Sequence, residues 1–142
     1  MAMDNADRLA LIDRYLAAYN GFDVDAMLAV LSPDVRFENY SGEKLTAHAS
    51  GIEEFRRLAE QSRSVFAERE QRIAALEVEE GAGDGTIGTI GTIGTITARI
   101  DFHGRLAVDI PGGPPAGTVL DLQGHSVFAF KDGLIAGIVD RS

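Results

Sequence analysis

The stretch RYLAAYNGFDVDAMLAVLSPDVRFENY, residues 14–40, constrains the fold more than any other part of the chain. It reads as the end of one helix, a short second helix and a first strand. The first helix is expected to stop at Asn20-Gly21, where glycine takes the left-handed position past a helix end. Asp23 then supplies a cap for a helix over Val24 to Leu31, which Ser32-Pro33-Asp34 ends. Val35 to Tyr40 alternates as a strand, with Val35, Phe37 and Asn39 on one face and Arg36, Glu38 and Tyr40 on the other.

Upstream, Leu9, Ile12, Leu16 and Tyr19 recur at helical spacing, with Tyr15 beside them and Asp4 or Asn5 able to cap the start. Downstream, Ser41 to Ala49 reads as a polar loop. Ser50-Gly51-Ile52-Glu53 then matches a capping box that opens a third helix. Ile52, Phe55, Leu58, Ala59 and Ser62 form its apolar stripe. Residues 64–72 fit a longer helix or the start of a strand equally well. By Leu76-Glu77-Val78-Glu79 the alternation favours a strand, and the glycine-rich run 81–85 a turn.

Four tandem copies of Gly-Thr-Ile occupy residues 85–96. Their period of three conflicts with the strand period of two. A slip by one repeat restores the same sequence while reversing every side chain, so register is weakly specified. The repeat is too short for a solenoid and lacks the proline of collagen. Duplication of a short coding unit, or engineering, explains it best. The expectation is an insertion forming a long or bulged hairpin arm, open to exchange between subunits. After it, Thr97 to Ile110 and Thr118 to Phe130 read as strands flanking the loop 111–117. Lys131-Asp132-Gly133 turns the chain into a last strand, Leu134 to Arg141.

The 142 residues suit a single domain, 1–142, large enough to bury a core without disulfides, and there are no cysteines to make them. A formal charge of −9 speaks against nucleic acid, which selects a basic face. No apolar run approaches the roughly 18 residues of a membrane span, and no signal peptide is visible, so a cytoplasmic location is expected. Gly83-Asp84-Gly85-Thr86-Ile87-Gly88 fits a dinucleotide-binding pattern, but more Gly-Thr-Ile follows where that site needs a helix. The sequon at Asn39 carries no meaning without secretion. His48, His103 and His125 lie in separate segments, without helical metal-ligand spacing. His125 is out of phase with the aromatic face of its strand and is expected on the outer surface of the sheet or at a subunit interface. No metal and no cofactor is expected.

This succession of elements resembles the nuclear transport factor 2-like superfamily, in particular its SnoaL-like and ketosteroid isomerase-like branch. Arg14, Tyr15, Ala17, Ala18 and Asn20 match the pattern R-Y-x-A-A-x-N of the isomerases. The resemblance implies an α+β fold: a cone-shaped barrel in which three N-terminal helices pack on a strongly curved, mixed, mostly antiparallel sheet around one apolar pocket. It places Tyr15 where the isomerases hold the phenol that donates to the substrate oxyanion. Their general base falls on Asn39, and their second oxyanion donor on Ser126. Neither replacement carries an acid, so steroid isomerisation by that route is not expected.

The pocket face then offers Tyr15, Asn39 and Ser126 to polarise an oxygen, and Asp140, in phase on the last strand, to move a proton. Tyr19, Phe37, Phe55, Ile100, Phe102, Phe128 and Ile138 form the expected apolar wall. Two functions fit. One is a cofactor-independent isomerase or cyclase acting on a small hydrophobic carbonyl or enol compound. The other is a non-catalytic ligand-binding or dimerisation domain. In either case a small apolar molecule is the expected ligand, and a homodimer through the outer face of the sheet the expected assembly.

Overall fold

The computed structural model describes residues 4–79 and 95–142. Its elements run α1 (Asn5–Asn20), α2 (Val24–Leu28), β1 (Leu31–Ser41), β2 (Lys44–Ser50), α3 (Ile52–Val65), β3 (Phe66–Glu79), β4 (Thr95–Leu106), β5 (Val119–Lys131) and β6 (Leu134–Arg141). The six strands form one sheet in the order β2-β1-β6-β5-β4-β3. Only β1 and β6 run parallel. This is the expected α+β architecture with a mixed, mostly antiparallel sheet. The sheet, however, is open and not strongly curled, with β2 and β3 at opposite edges rather than closed into a barrel. The third helix is also not N-terminal to the sheet, since it joins β2 to β3.

Local chemistry explains most boundaries. Asp4 caps α1 by accepting from Asp7 N at 2.9 Å. Leu11, Ile12, Tyr15, Leu16 and Ala18 are its buried stripe. The helix does stop at Asn20, but Gly21 has φ −90°, and it is Phe22 that takes the left-handed turn, at φ 58°. A non-glycine pays about 1–2 kcal/mol there. The Phe22 ring lies under the Arg69 guanidinium, 4.6 Å from its centroid, which holds it in place.

Asp23 caps α2 as expected, accepting from Ala26 N at 3.1 Å. The helix is shorter than its sequence suggests, because residues 31–34 enter β1 instead of stopping a helix. Leu31 pairs with Ile135 of β6, and the ladder resumes only at Arg36. Pro33, which lacks an N–H, sits inside that break, where no ladder bond is lost.

The stretch expected as a polar loop contains β2, an edge strand folded back on β1 through Gly42, at φ 63°. Of its residues only Ala49 is buried, so the alternation that marks a strand is faint. The capping box does not form. Ser50 stays in the strand and Gly51 holds the cap position at φ 88°; Glu54, not Glu53, reaches back to accept from Ser50 N at 2.9 Å.

Residues 66–72, ambiguous in sequence, belong to β3. The turn at 81–85 and the hairpin arm expected of the Gly-Thr-Ile repeat lie outside the described residues. The last two repeat residues, Thr95 and Ile96, open β4, and Ile96 is fully buried. At the β5–β6 hairpin Asp132 and Gly133 both have positive φ, 52° and 80°, as a tight two-residue turn requires.

The helices cover one face of the sheet. Between them Ile12, Val30, Val35, Ile96, Phe128, Ile135 and Ile138 are the most deeply buried large side chains among the described residues. Among the described residues no helix is long and apolar enough to cross a membrane.

Candidate functional site

Strand register aligns the polar residues of the helix-covered face in one row. Asn39 of β1 is the partner of Asp140 in β6, Asp140 that of Ser126 in β5, and Ser126 that of Ala98 in β4. The next row inward is apolar: Phe37, Ile138, Phe128 and Ile96. The sheet therefore has an aromatic and aliphatic floor with a polar band at its rim.

Ser126 Oγ donates to Asp140 Oδ1 at 2.6 Å. Withdrawal from water raises the Asp140 pKa from 3.8 to about 6, and the Ser126 bond, which favours the ionised form, offsets part of the rise. Asp140 is thus a carboxyl group that exchanges its proton near neutrality.

Tyr15 reaches the same space from α1. Its ring packs edge-on against Phe55 and Phe128, with centroids 6.4 and 6.1 Å away. Its hydroxyl has no hydrogen-bond partner among the described residues. Burial, then the nearby Asp140 charge, pushes its pKa well above 10. Tyr15 is therefore a permanently protonated donor.

Asn39 is partly committed. Its Nδ2 donates to Thr46 Oγ1 at 2.7 Å, and the Thr46 hydroxyl donates back to the Asn39 carbonyl at 3.0 Å. This closed pair turns the amide toward β2.

These groups border a cavity of about 390 Å³. Its lining includes Tyr15, Tyr19, Phe37, Asn39, Phe55, Ile100, Phe102, Ser126 and Asp140, all expected from sequence. Two expected wall residues are not there. Phe128 and Ile138 lie one row deeper, 0% and 1% exposed, Phe128 against the Tyr15 ring, and belong to the core. Ser126 is inside, but its proton is held by Asp140, so it positions the carboxyl rather than polarising a ligand oxygen. His125 is exposed and pairs in register with Arg99, one residue out of phase with Ser126.

The structure adds residues that sequence reading missed, chiefly Arg69 of β3, with Ser62, Phe66 and Gln71 around it. The Arg69 guanidinium stacks 3.7 Å over the Tyr19 ring, Nε donates to the Tyr19 carbonyl at 2.9 Å, and Nη1 donates to Ser62 Oγ at 3.2 Å. Burial lowers its pKa below the usual arginine value. Burial raises that of Tyr19, with Arg69 and a Gln71 hydrogen bond pulling it back. The missed signal was parity: once residues 66–72 are a strand, Arg69 and Gln71 share the inner face. Among the described residues no group of three or more His, Asp or Glu stands ready for a metal ion.

A sequence model of the SnoaL-like domain matches residues 12–138. No match to a curated protein reaches significance. Among solved structures, TsrD from Streptomyces laurentii is 27% identical, with TM-score 0.73, over 98% of this chain and 90% of that one. A candidate polyketide cyclase from Pseudomonas putida is also 27% identical, with TM-score 0.65, over 92% and 86%. A Catenulispora acidiphila protein of ketosteroid isomerase-like fold, solved with trimethylamine, is 13% identical, with TM-score 0.65, over 92% and 82%. At that identity it speaks to the fold alone.

Proposed function

The chain belongs to the SnoaL-like domain family, and from that premise we propose that it is an isomerase or cyclase acting on a small hydrophobic carbonyl compound through its own side chains. The observation that carries this reading is the Asp140–Ser126 pair at the rim of an apolar cavity, with Tyr15, whose hydroxyl has no partner among the described residues, lining the same space. A carboxyl with a pKa of about 6 is matched to proton transfer at neutral pH.

In the proposed reaction ionised Asp140 removes a proton from carbon next to a substrate carbonyl. The C–H electron pair moves toward that carbonyl, and Tyr15 donates a hydrogen bond to the oxyanion that develops. For isomerisation, Asp140 returns the proton to a different carbon. For cyclisation, the enolate carbon bonds to a second carbonyl of the same molecule, whose oxygen then takes the proton. Phe37, Phe55, Ile100 and Phe102 provide the apolar surface for the body of the substrate. The candidate polyketide cyclase among the similar structures supports this substrate class. An open cavity of about 390 Å³ favours it over a pocket packed shut by its phenylalanines.

Exchange of the α-hydrogens of 2-tetralone for deuterium in D₂O, followed by NMR, tests the chemistry. The protein is expected to accelerate exchange, and Asp140→Asn to return it to the buffer rate with the fold intact. Equal exchange by both proteins would remove Asp140 from the mechanism. Pairing of two copies through the outer sheet face belongs to the same reading. The partly buried cross-strand pair Val127–Val139 gives that face an apolar centre, and sedimentation at several concentrations measures the pairing.

A further inference from the structure

We propose that Arg69 is a carboxylate-recognition residue, so that the cavity takes an amphiphilic acid with its apolar body on the aromatic wall and its carboxylate on the guanidinium. The inference rests on the reading of the cavity as a small-molecule site, and it adds the charge and orientation of the molecule.

Arg69 is only 5% exposed, and its guanidinium is fixed from three directions: the Tyr19 and Phe22 rings, the Tyr19 carbonyl and Ser62 Oγ. That leaves Nη2, which is buried and has no hydrogen-bond partner among the described residues. A buried charged donor without an acceptor is among the more costly things a fold can retain.

The charge is as exposed to imbalance as the donor. The neighbouring acids of β3 are used elsewhere: Glu68 pairs with Arg105 at 2.9 Å and Glu70 with Arg72 at 3.2 Å. Strand alternation turns both away from the face that Arg69 occupies. Arg69 takes part in no ion pair among the described residues. The titratable groups around it are two neutral phenols, Tyr19 and Tyr15, and a second cation, Arg63, itself paired with Glu60 at 3.3 Å. Asp140 stands beyond the tyrosines, and Arg69 is not among the groups that perturb it. A water molecule could satisfy Nη2 but not the charge; a carboxylate supplies both.

The cavity is thereby polarised, with a cation at the β3 side, two phenols between and the proton-exchanging carboxyl at the β5–β6 side. An acid anchored on Arg69 presents the middle or far part of its body, not the carbons next to its carboxylate, to Asp140.

Calorimetric binding of 2-naphthoate and its neutral isostere 2-naphthamide tests this. The unmodified protein is expected to bind the acid at least about tenfold tighter than the amide. Arg69→Gln should bring the two within about twofold while keeping amide affinity, and Arg69→Lys should retain part of the preference. Equal binding of acid and amide by the unmodified protein would overturn the inference and leave the cavity reading standing. Binding of neither would remove both. Arg141 also borders the cavity, so if Arg69→Gln fails to fold the assignment rests on Arg69→Lys, in which an unchanged preference for the acid would overturn the inference.

Discussion

Ser126 and Asp140 are cross-strand partners, and the Ser126 hydroxyl donates to the Asp140 carboxyl across 2.6 Å. Burial raises the proton affinity of the carboxyl, and the serine moderates it. Burial alone would carry the carboxyl further from its ordinary value than a pKa of about 6, and the serine holds it back. The pair is a tuned proton-exchange group rather than two independent side chains.

Ser126→Ala should therefore raise the Asp140 pKa. A hydrogen bond to a charged group contributes about 1.5–3 kcal/mol, which corresponds to a rise of about one to two units. Carboxyl carbon NMR titration of Asp140 reads this directly. In the tetralone exchange assay the same variant should move the rising limb of the pH profile to higher pH while keeping its plateau within about tenfold. An unshifted titration would mean that the serine only fills space.

The Asp140 shift also predicts how stability depends on pH. The folded pKa of about 6 lies above the ordinary 3.8, so between those values the folded protein holds a proton that the unfolded chain has lost. Asp140 consequently favours the folded state less and less as pH rises from about 4 to 6, and is constant beyond. The full shift is equivalent to about 3 kcal/mol, an upper limit for a half-buried side chain. Asp140→Asn, which never ionises, should gain up to that much relative to the unmodified protein between pH 3.5 and pH 8. Urea unfolding of both proteins at the two pH values measures the difference.

Residue parity decided how far the sequence could be read. Where strands alternate strongly, as in Val35 to Tyr40 and in the two strands flanking Asp132-Gly133, parity alone puts Asn39, Ser126 and Asp140 on one face. Family resemblance then puts Tyr15 opposite them. Depth is another matter: Phe128 and Ser126 share a face, but only packing reveals that Phe128 is floor and Ser126 rim. Arg69 was hidden because Ser64 to Arg72 satisfies helix and strand patterns equally well, and a side chain has no address until that choice is made. The edge strand β2 was hidden because it buries little beyond Ala49. The capping box failed because Ser50 was needed in β2, a tertiary demand invisible in a four-residue motif.

Tyr15→Phe isolates the phenol from its ring. The ring contacts with Phe55 and Phe128 survive, and the hydroxyl bonds no described residue, so stability should change by less than about 1 kcal/mol. If the hydroxyl stabilises an oxyanion, turnover should fall about 10²–10³-fold with little change in substrate affinity. A weakened affinity with an unchanged rate would make Tyr15 a binding group instead.

Phe128 and Phe102 test the distinction between floor and wall. Both were expected to face a ligand, yet Phe128 is fully buried among Tyr15 and the inner strand residues, whereas Phe102 borders the cavity and rests on Phe66, 5.4 Å between centroids. Removing a fully buried phenylalanine leaves an unfilled hole and costs about 3–5 kcal/mol, while a wall residue opens into space already present and should cost about half that or less. Phe128→Ala should accordingly lower the denaturation midpoint far more than Phe102→Ala. Ligand affinity should respond in the opposite order, since Phe102 supplies surface that a bound molecule covers and Phe128 does not. Affinities for 2-naphthamide, which carries no charge for Arg69 to read, measure that apolar contribution alone. Equal stability losses in the two variants would place Phe128 on the wall after all.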